Sequence, residues 1–423
     1  MKKIGIGIIV LVAIFISLLY WSLSSTEKTF KKGELLNINN IETINFKNID
    51  SVLISASTLY KANNIKTLMQ GEQYRKAWEA PIKVPIVFLD SLKGGLKILK
   101  EGGGKQTHSI KLLSKNGTKY TLRGINKDPK KLIPEFAKTF GLENIIVDGI
   151  SAQHPYGSIL SAALAKRAKI LSTEPQVVFV PKQEALGTFN LKYGNRLYLL
   201  EYETEGETNW TNYKNVSEIV ETDNLQELKL KSQNSIVIDK SVLIRVRLFD
   251  FLIGDWDRHA KQYGWILQKN NNNYTAIPLA GDRDNAFFKS EGLIPSILSN
   301  KYVIPELQDF EKEIDFLPGL VYPFDRYFLF NTNEDIFITE AKKLQELLTD
   351  DVLNKALNVW PKNIRALDGQ DIISTIKARR TDLVDYAKAF KKIIDEKGLL
   401  TEALKGSEDL ALPKELLQCF DCN

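Results

Sequence analysis

Residues Leu252–Phe288 read LIGDWDRHAKQYGWILQKNNNNYTAIPLAGDRDNAFF, and the rest of the chain is best understood from this stretch outward. Its four aspartates, Asp255, Asp257, Asp282 and Asp284, stand at two corners of a predicted hairpin. The first corner is Gly254 to His259; an alternating run, Tyr263, Trp265 and Leu267, follows it. Asn270 to Asn273 make a polar tip, Tyr274 to Leu279 return, and Gly281 to Asp284 form the second corner ahead of Phe287 and Phe288. Period-2 patterning joined by a polar turn is the signature of a hairpin, while Pro278 predicts an edge strand or a strand end. Such a hairpin brings Asp257 and Asp282 to one end of a sheet. Carboxylates converging beside Arg258 and His259 suit a hard cation and a phosphate. Isolated aspartates in turns are usually turn formers or caps, but two corners joined by one hairpin favour a site.

Composition sets the frame. A chain of 423 residues is long enough for two lobes sharing a large core. The net charge of +5 is spread without a basic block, so nucleic acid is not an expected partner. With three histidines far apart and both cysteines at the end (Cys419, Cys422), no His/Cys zinc cluster is expected. The cysteine pair reads as a small terminal disulfide or an incidental pair. Ile4 to Leu23 is an unbroken uncharged run behind Lys2 and Lys3, with Tyr20 and Trp21 near its far end. About 20 apolar residues span a bilayer, and aromatic residues suit its interface. Residues 4–23 are therefore expected to be a transmembrane signal anchor. A cleaved signal is the alternative, with Ser22-Leu23-Ser24 a poor processing site. Lys28, Lys31 and Lys32 follow the span, yet large domains translocate largely regardless of such charges. The body is expected on the periplasmic side of a single-pass chain. Asn-rich residues 24–54 are expected to be a tether.

Further along, Ser55–Gln70 has a helical pattern, and Tyr74–Leu89, with Pro81 and Pro85, an extended one. Gly102, Gly103 and Gly104 precede a strand, Ile110 to Leu113. Asn116-Gly117 predicts a two-residue turn into a partner strand from Tyr120 to Ile125. The glycines either offer backbone N–H groups to a phosphate or form a plain turn. Helices are predicted at Pro134–Phe140 and Pro155–Lys169, with His154 capping the second, and Asp148-Gly149 reads as a turn. Strands Gln176–Val180 and Arg196–Tyr202 come next. Helices Thr222–Leu230 and Ser241–Ile253 follow, the latter delivering the chain to Asp255. The chain then turns mostly helical, at Thr339–Leu348, Asp350–Asn358 and Gln370–Lys397. Arg379-Arg380 is expected on a solvated face, with anion binding the alternative.

The pattern Asp257-x-His259-x-Lys261, with the later Asp282-x-Asp284-x-x-Phe287, resembles the catalytic segment of atypical protein-kinase-like enzymes. LIGDWDRHAKQYGW is similar to the HipA form of that segment. The spore-coat kinase CotH, the secretory-pathway casein kinases and the type II phosphatidylinositol 4-kinases are of related shape. YRKAWEAPIKVPI, GGGKQTHSIKL, YTLRGINKDP and SAQHPYGSILSAALAKRA also resemble an envelope-associated kinase-like module of bacteria, over about residues 55–390.

The resemblance implies an α+β, two-lobed kinase-like fold behind the anchor. Its β-rich N-lobe would span residues 55–200, a catalytic core of the helical C-lobe 201–300, and the C-terminal helical part 301–423. Cofactors would be ATP with Mg²⁺ or Mn²⁺. Asp257 would orient an attacking hydroxyl and accept its proton. Asp282 would hold the metal, with Gln262 where relatives place an asparagine and Asp284 as a second or alternative ligand. Gly102, Gly103 and Gly104 would cover the phosphates, and Arg123, or else Lys127, would replace the kinase lysine. Glu201 would lie in the inter-lobe hinge, where backbone groups meet an adenine. The helix glutamate that pairs with the strand cation in relatives aligns with Ser158, leaving Asp148, Glu135 or Glu143 as substitutes. Arg258 would brace a carboxylate or phosphate, and His259 is a structural donor rather than a base. The acceptor would be a protein, lipid or glycan hydroxyl. A second reading is a pseudokinase serving as an envelope scaffold, favoured by the scarcity of ATP outside the cytoplasm. A metal phosphoesterase would draw on more ligands than this hairpin offers.

Overall fold

The computed structural model of the protein describes residues 2–24, 34–36, 41–103, 107–128, 133–232 and 235–422. Gly104 and residues 25–33 and 37–40 of the expected tether lie outside the described residues. The fold is mixed α+β: an apolar N-terminal helix, a sheet-rich portion and a helical C-terminal part.

The apolar run forms one helix, α1 (Lys2–Ser24). Three sheets follow. Strands β1 (Glu34–Leu35), β2 (Ser51–Ser55) and β3 (Pro81–Pro85) pair antiparallel in that order. Strands β4 (Leu96–Gly102), β5 (Ser109–Ser114), β6 (Lys119–Gly124), β7 (Gln176–Val180) and β8 (Arg196–Tyr202) make an antiparallel sheet ordered β4-β5-β6-β8-β7. Alternation decides its two faces. Ile110, Leu112, Tyr120, Leu122, Val178, Tyr198 and Leu200 pack into one apolar cluster. Ser109, Lys111, Thr121, Arg123 and Glu201, at the intervening positions, are left on the opposite face.

Residues 252–288 form the hairpin that their pattern predicts. β11 (Tyr263–Asn270) and β12 (Asn273–Ala280) pair from Tyr263 against Ala280 to Asn270 against Asn273. Asn271 takes a left-handed φ of 54° in the turn, a conformation asparagine tolerates better than most residues. β9 (Val216–Glu221) flanks β11, and β10 (Ile236–Ile238) runs parallel to β12 opposite Tyr274 to Ala276 only. Pro278 therefore sits beyond the reach of β10, where a missing N–H does no harm to the ladder.

Among the helices, α2 (Asn64–Gln70), α3 (Glu135–Thr139), α4 (Glu143–Gly149) and α5 (Gly157–Arg167) come from the sheet-rich portion. α6 (Thr222–Ser232) and α7 (Lys240–Ile253) lead to the hairpin. Every residue of α7 from Leu243 to Ile253 is buried, so this helix is the axis on which the later ones pack. Asp239 starts it by accepting from Val242 N at 3.0 Å. Gly254 ends it at φ +64°, and a Cβ there would lie 2.5 Å from the Phe310 ring, so only glycine fits. Next come α8 (Leu293–Leu298), α9 (Pro323–Leu329), α10 (Glu334–Leu347), α11 (Asp350–Ala356), α12 (Gln370–Thr381) and α13 (Leu383–Lys397).

Local expectations differ from the structure in several places. Ser55–Gln70 is helical only from Asn64, because Ser51–Ser55 is drawn into β2 by its inward Val52 and Ile54. Tyr74–Leu89 holds a helical turn, Arg75–Glu79, before β3. The turn predicted at Asn116-Gly117 has three residues, since Ser114 N bonds Thr118 O and Gly117 takes φ +87°. Asp148-Gly149 ends α4 rather than forming a free turn. The long helix expected over Gln370–Lys397 breaks at Asp382. There the Gln345 side-chain amide donates to the carbonyls of Arg380 and Thr381 at 2.7 and 3.2 Å. Arg379 is not on a solvated face; it is buried, donating to the carbonyls of Glu311 and Phe251. Cys419 and Cys422 form a disulfide.

Candidate functional site

Arg258 ties the two corners of the hairpin together. It is wholly buried, and its Nη1 lies 3.2 Å from Asp255 Oδ2, 2.9 Å from Gly281 O and 3.3 Å from Asp282 O. It thus braces a carboxylate and the backbone of the second corner. Behind it lies Asp250 on α7, whose carboxylate meets three guanidinium groups, Arg247 at 3.0 Å, Arg283 at 3.1 Å and Arg258 at 3.4 Å. Arg247 also pairs with Asp325 of α9 at 2.6 Å. Three buried arginines thus lie among three buried aspartates (Asp250, Asp255, Asp325), where isolated ions would be costly. Burial pushes against ionisation of Asp250, but Arg258, Arg283 and Arg247 outweigh it and hold its carboxyl low. Asp255 has only partial compensation from Arg258, and burial raises it to about 7.

Above this base is a cleft of about 220 Å³ between the polar face of the five-stranded sheet and the ends of the hairpin. Arg123 of β6 lies at its centre. Its Nε is 2.7 Å from Glu201 Oε1, and its Nη1 is 2.8 Å from Asp282 Oδ2. Lys127 pairs with Asp284 at 3.1 Å. Asp282 is raised to about 6 by burial, against the pull of Arg123. For Asp284 burial is outweighed by Lys127 and Arg123, which hold it low. Asp282 adopts a left-handed φ of 46°, a strained conformation for a residue with a Cβ.

Asp257 points from the first corner, with its side chain 31 % exposed. Gln262 Nε2 approaches its Oδ2 at 3.5 Å, and His259 Nε2 its Oδ1 at 3.6 Å. Burial lowers His259 to about 4, so it stands neutral beside Asp257. Gln262 lines the cleft together with Asp282 and so joins the two corners. Gly103 also lines the cleft at φ +94°, and Gly102 closes β4 against Ser109.

Glu201, expected where a strand runs into a hinge, is the penultimate residue of β8. Its carboxylate is held by Arg123 and by Thr173 Oγ1, which donates at 2.6 Å. The crossing to the next sheet starts at Glu203, whose N–H donates to Lys119 O at 3.1 Å. Of the three acids offered as partners for the strand cation, Asp148 is elsewhere, bonded to Lys66 at 2.9 Å and to Arg75 at 2.8 Å. Arg123 instead takes its acid from the neighbouring strand, because Glu201 faces the same side as Arg123 one strand away. Ser158 of α5 lines a small cavity with Lys127 and Asp284, so the helix reaches the site without an acid at that position.

Sequence reasoning missed Lys111, Thr121 and Glu203, all on the cleft wall, where Lys261 of the Asp257-x-His259-x-Lys261 pattern also lies. The period-2 spacing of Ser109/Lys111, Thr121/Arg123 and Glu201/Glu203 was the signal for a polar sheet face. It also missed the Asp250 cluster, for which Arg245, Arg247 and Asp250 inside an apolar helical run were the clue. Among the described residues, no three His, Cys, Asp or Glu side chains group to hold a metal ion. Asp282 and Asp284 do match the one or two carboxylates with which proteins hold magnesium beside phosphates, but each is engaged by a cation here.

No family model matches the sequence, and no curated protein matches it. Among solved structures, the proinflammatory kinase CtkA of Helicobacter pylori is similar at 13% identity, covering 68% of this chain and 95% of that one, with a TM-score of 0.36. HipA of Shewanella oneidensis MR-1, solved with HipB and operator DNA, is similar at 12% identity over 75% of this chain and 68% of that one, with a TM-score of 0.32.

Proposed function

We propose that this is a membrane-anchored, kinase-like phosphotransferase that binds ATP with a divalent cation in the cleft and passes a phosphoryl group to a hydroxyl. One observation carries the reading: a single hairpin sets Asp257, Gln262, Asp282 and Asp284 at one end, opposite a cation on a glycine-flanked sheet. Phosphoryl transfer needs positioned charge more than covalent help from the protein. Asp257 is exposed enough to accept a hydroxyl proton. Asp282 and Asp284, with the Gln262 amide oxygen, are the donors for Mg²⁺ or Mn²⁺; when bound, the ion would neutralise charge on the phosphates. Arg123 and Lys127, released from those carboxylates, are the cations for the phosphate oxygens.

The test is thermal unfolding of the full chain in detergent, with and without ATP and Mg²⁺ or Mn²⁺, beside Asp282→Ala. Ligand at ~100-fold over its dissociation constant stabilises by about 2.7 kcal/mol. A metal-dependent shift in the wild type, lost in the variant, is expected; no shift with any nucleotide overturns the reading.

A catalytically weak scaffold in the cell envelope is the second reading, favoured by the ion pairs that occupy both metal carboxylates. Asp257→Asn separates the two. An enzyme loses on the order of 10²–10⁴-fold in turnover with its unfolding midpoint unchanged, whereas a scaffold has no turnover to lose and keeps its partner.

A further inference from the structure

The apolar helix does not leave the body through a loose linker. Ser22 and Leu23, near the end of α1, are its only buried residues. Gln70 of α2 donates to Ser22 Oγ at 3.2 Å, and Asn144 of α4 donates to Leu23 O at 3.0 Å. The Tyr20 hydroxyl donates to Phe140 O, after α3, at 2.7 Å. These contacts fix the depth of the body. A helix of 23 residues is about 34 Å long, and a bilayer core of about 30 Å takes up about 20 of them. Counted from behind Lys2 and Lys3, those roughly 20 residues end at Leu23, so the end of α1 lies at the boundary of the core, and so does the surface bonded to it.

That surface is apolar where an ordinary surface is polar. Phe136 is 63% exposed, Phe140 60% and Leu68 54%. α8 packs against α2, its preceding Gly292 so close that a Cβ would come 2.3 Å from Gly71 N. It and the following loop add Ile297 at 55%, Tyr302 at 87% and Val303 at 53% exposed. Bare apolar side chains of this size mark a contact surface, and α2, which packs against both α1 and α8, links these elements to the helix that is suited to lipid.

We infer that this face of the body is seated on the phospholipid bilayer, with α2, α3 and α8 dipping their apolar side chains among the headgroups. The protein is then a peripheral slab locked to its own anchor, and its cleft is held at a set height above the lipid. The inference rests on the anchor being retained, not on the nucleotide reading.

The test reconstitutes the full chain in vesicles of phosphatidylcholine and phosphatidylglycerol. Both native cysteines are in the disulfide, so single Phe140→Cys, Ile297→Cys and Tyr302→Cys variants take one fluorophore each. Leu191→Cys, equally bare but beside the five-stranded sheet, is the control. Quenchers carried on lipids near the headgroup should quench the first three several-fold more than the control. Tyr302 guards against misfolding, since its side chain is almost fully exposed, and each variant is required to unfold cooperatively. Equal quenching at all four sites overturns the inference, as does crosslinking between two copies through position 140 without quenching. A chain that fails to float with the vesicles overturns the anchor itself, an outcome distinct from floating without quenching.

Discussion

Asp255 and Asp257 are two residues apart and face different worlds, and environment alone sets their chemistry. Asp257 is part-exposed between an amide and an imidazole, while Asp255 is buried against Arg258 and raised to about 7. An unfolded aspartate loses its proton near pH ~4, so between that pH and about 7 the folded chain binds the extra proton. This group's contribution to stability is full at low pH and is lost as pH rises through about 7. Asp255→Asn, always neutral and nearly isosteric, should remove that slope, so its midpoint relative to wild type climbs from pH 4 to pH 8. Parallel midpoint curves for the two proteins would show that Asp255 is ionised throughout. In the sequence both aspartates look alike as turn residues. Burial, which separates them, comes from α7 and α9 and is not a local property.

At the scale of elements, the hairpin was legible because its signals are local: alternation, a polar tip and glycine before each acidic corner. What braces it was not. Arg258 looks like one more charge in a polar corner, yet it spans 23 residues to bind Gly281 O and also meets Asp255 and Asp250. Arg258→Met would leave Asp255 without its guanidinium and Gly281 O without its donor, and a broken buried ion network costs about 3–5 kcal/mol. Arg258→Lys should recover little of the loss, since an ammonium cannot reproduce the planar fork. Denaturant unfolding of both variants measures this; a Lys variant as stable as wild type would mean that charge, not geometry, is what the corner requires. The helix break at Asp382 teaches the same lesson, because the amide that satisfies the open carbonyls comes from Gln345 on another helix.

At the scale of the whole molecule, two sheets meet at the cleft, and Arg123–Asp282 and Lys127–Asp284 are the ion pairs across it. On the proposed reading, a divalent cation would have to compete with Arg123 for Asp282. Arg123→Gln should therefore let Mg²⁺ or Mn²⁺ alone raise the unfolding midpoint, where the wild type responds only with nucleotide present. Equal responses in both proteins would place the metal elsewhere. The sequence by itself determined the membrane-length helix, the alternating strands and the hairpin with its acidic corners, because hydrophobic length, period and turn chemistry are written in neighbouring residues. Only the tertiary structure decided that Arg123 takes Glu201, 78 positions on, and Asp282, 159 positions on, instead of an acid from a helix. It alone decided, too, that the end of the apolar helix is bonded to the body. Such partners are chosen by which faces pack together, and two residues far apart in the chain carry no local mark of meeting.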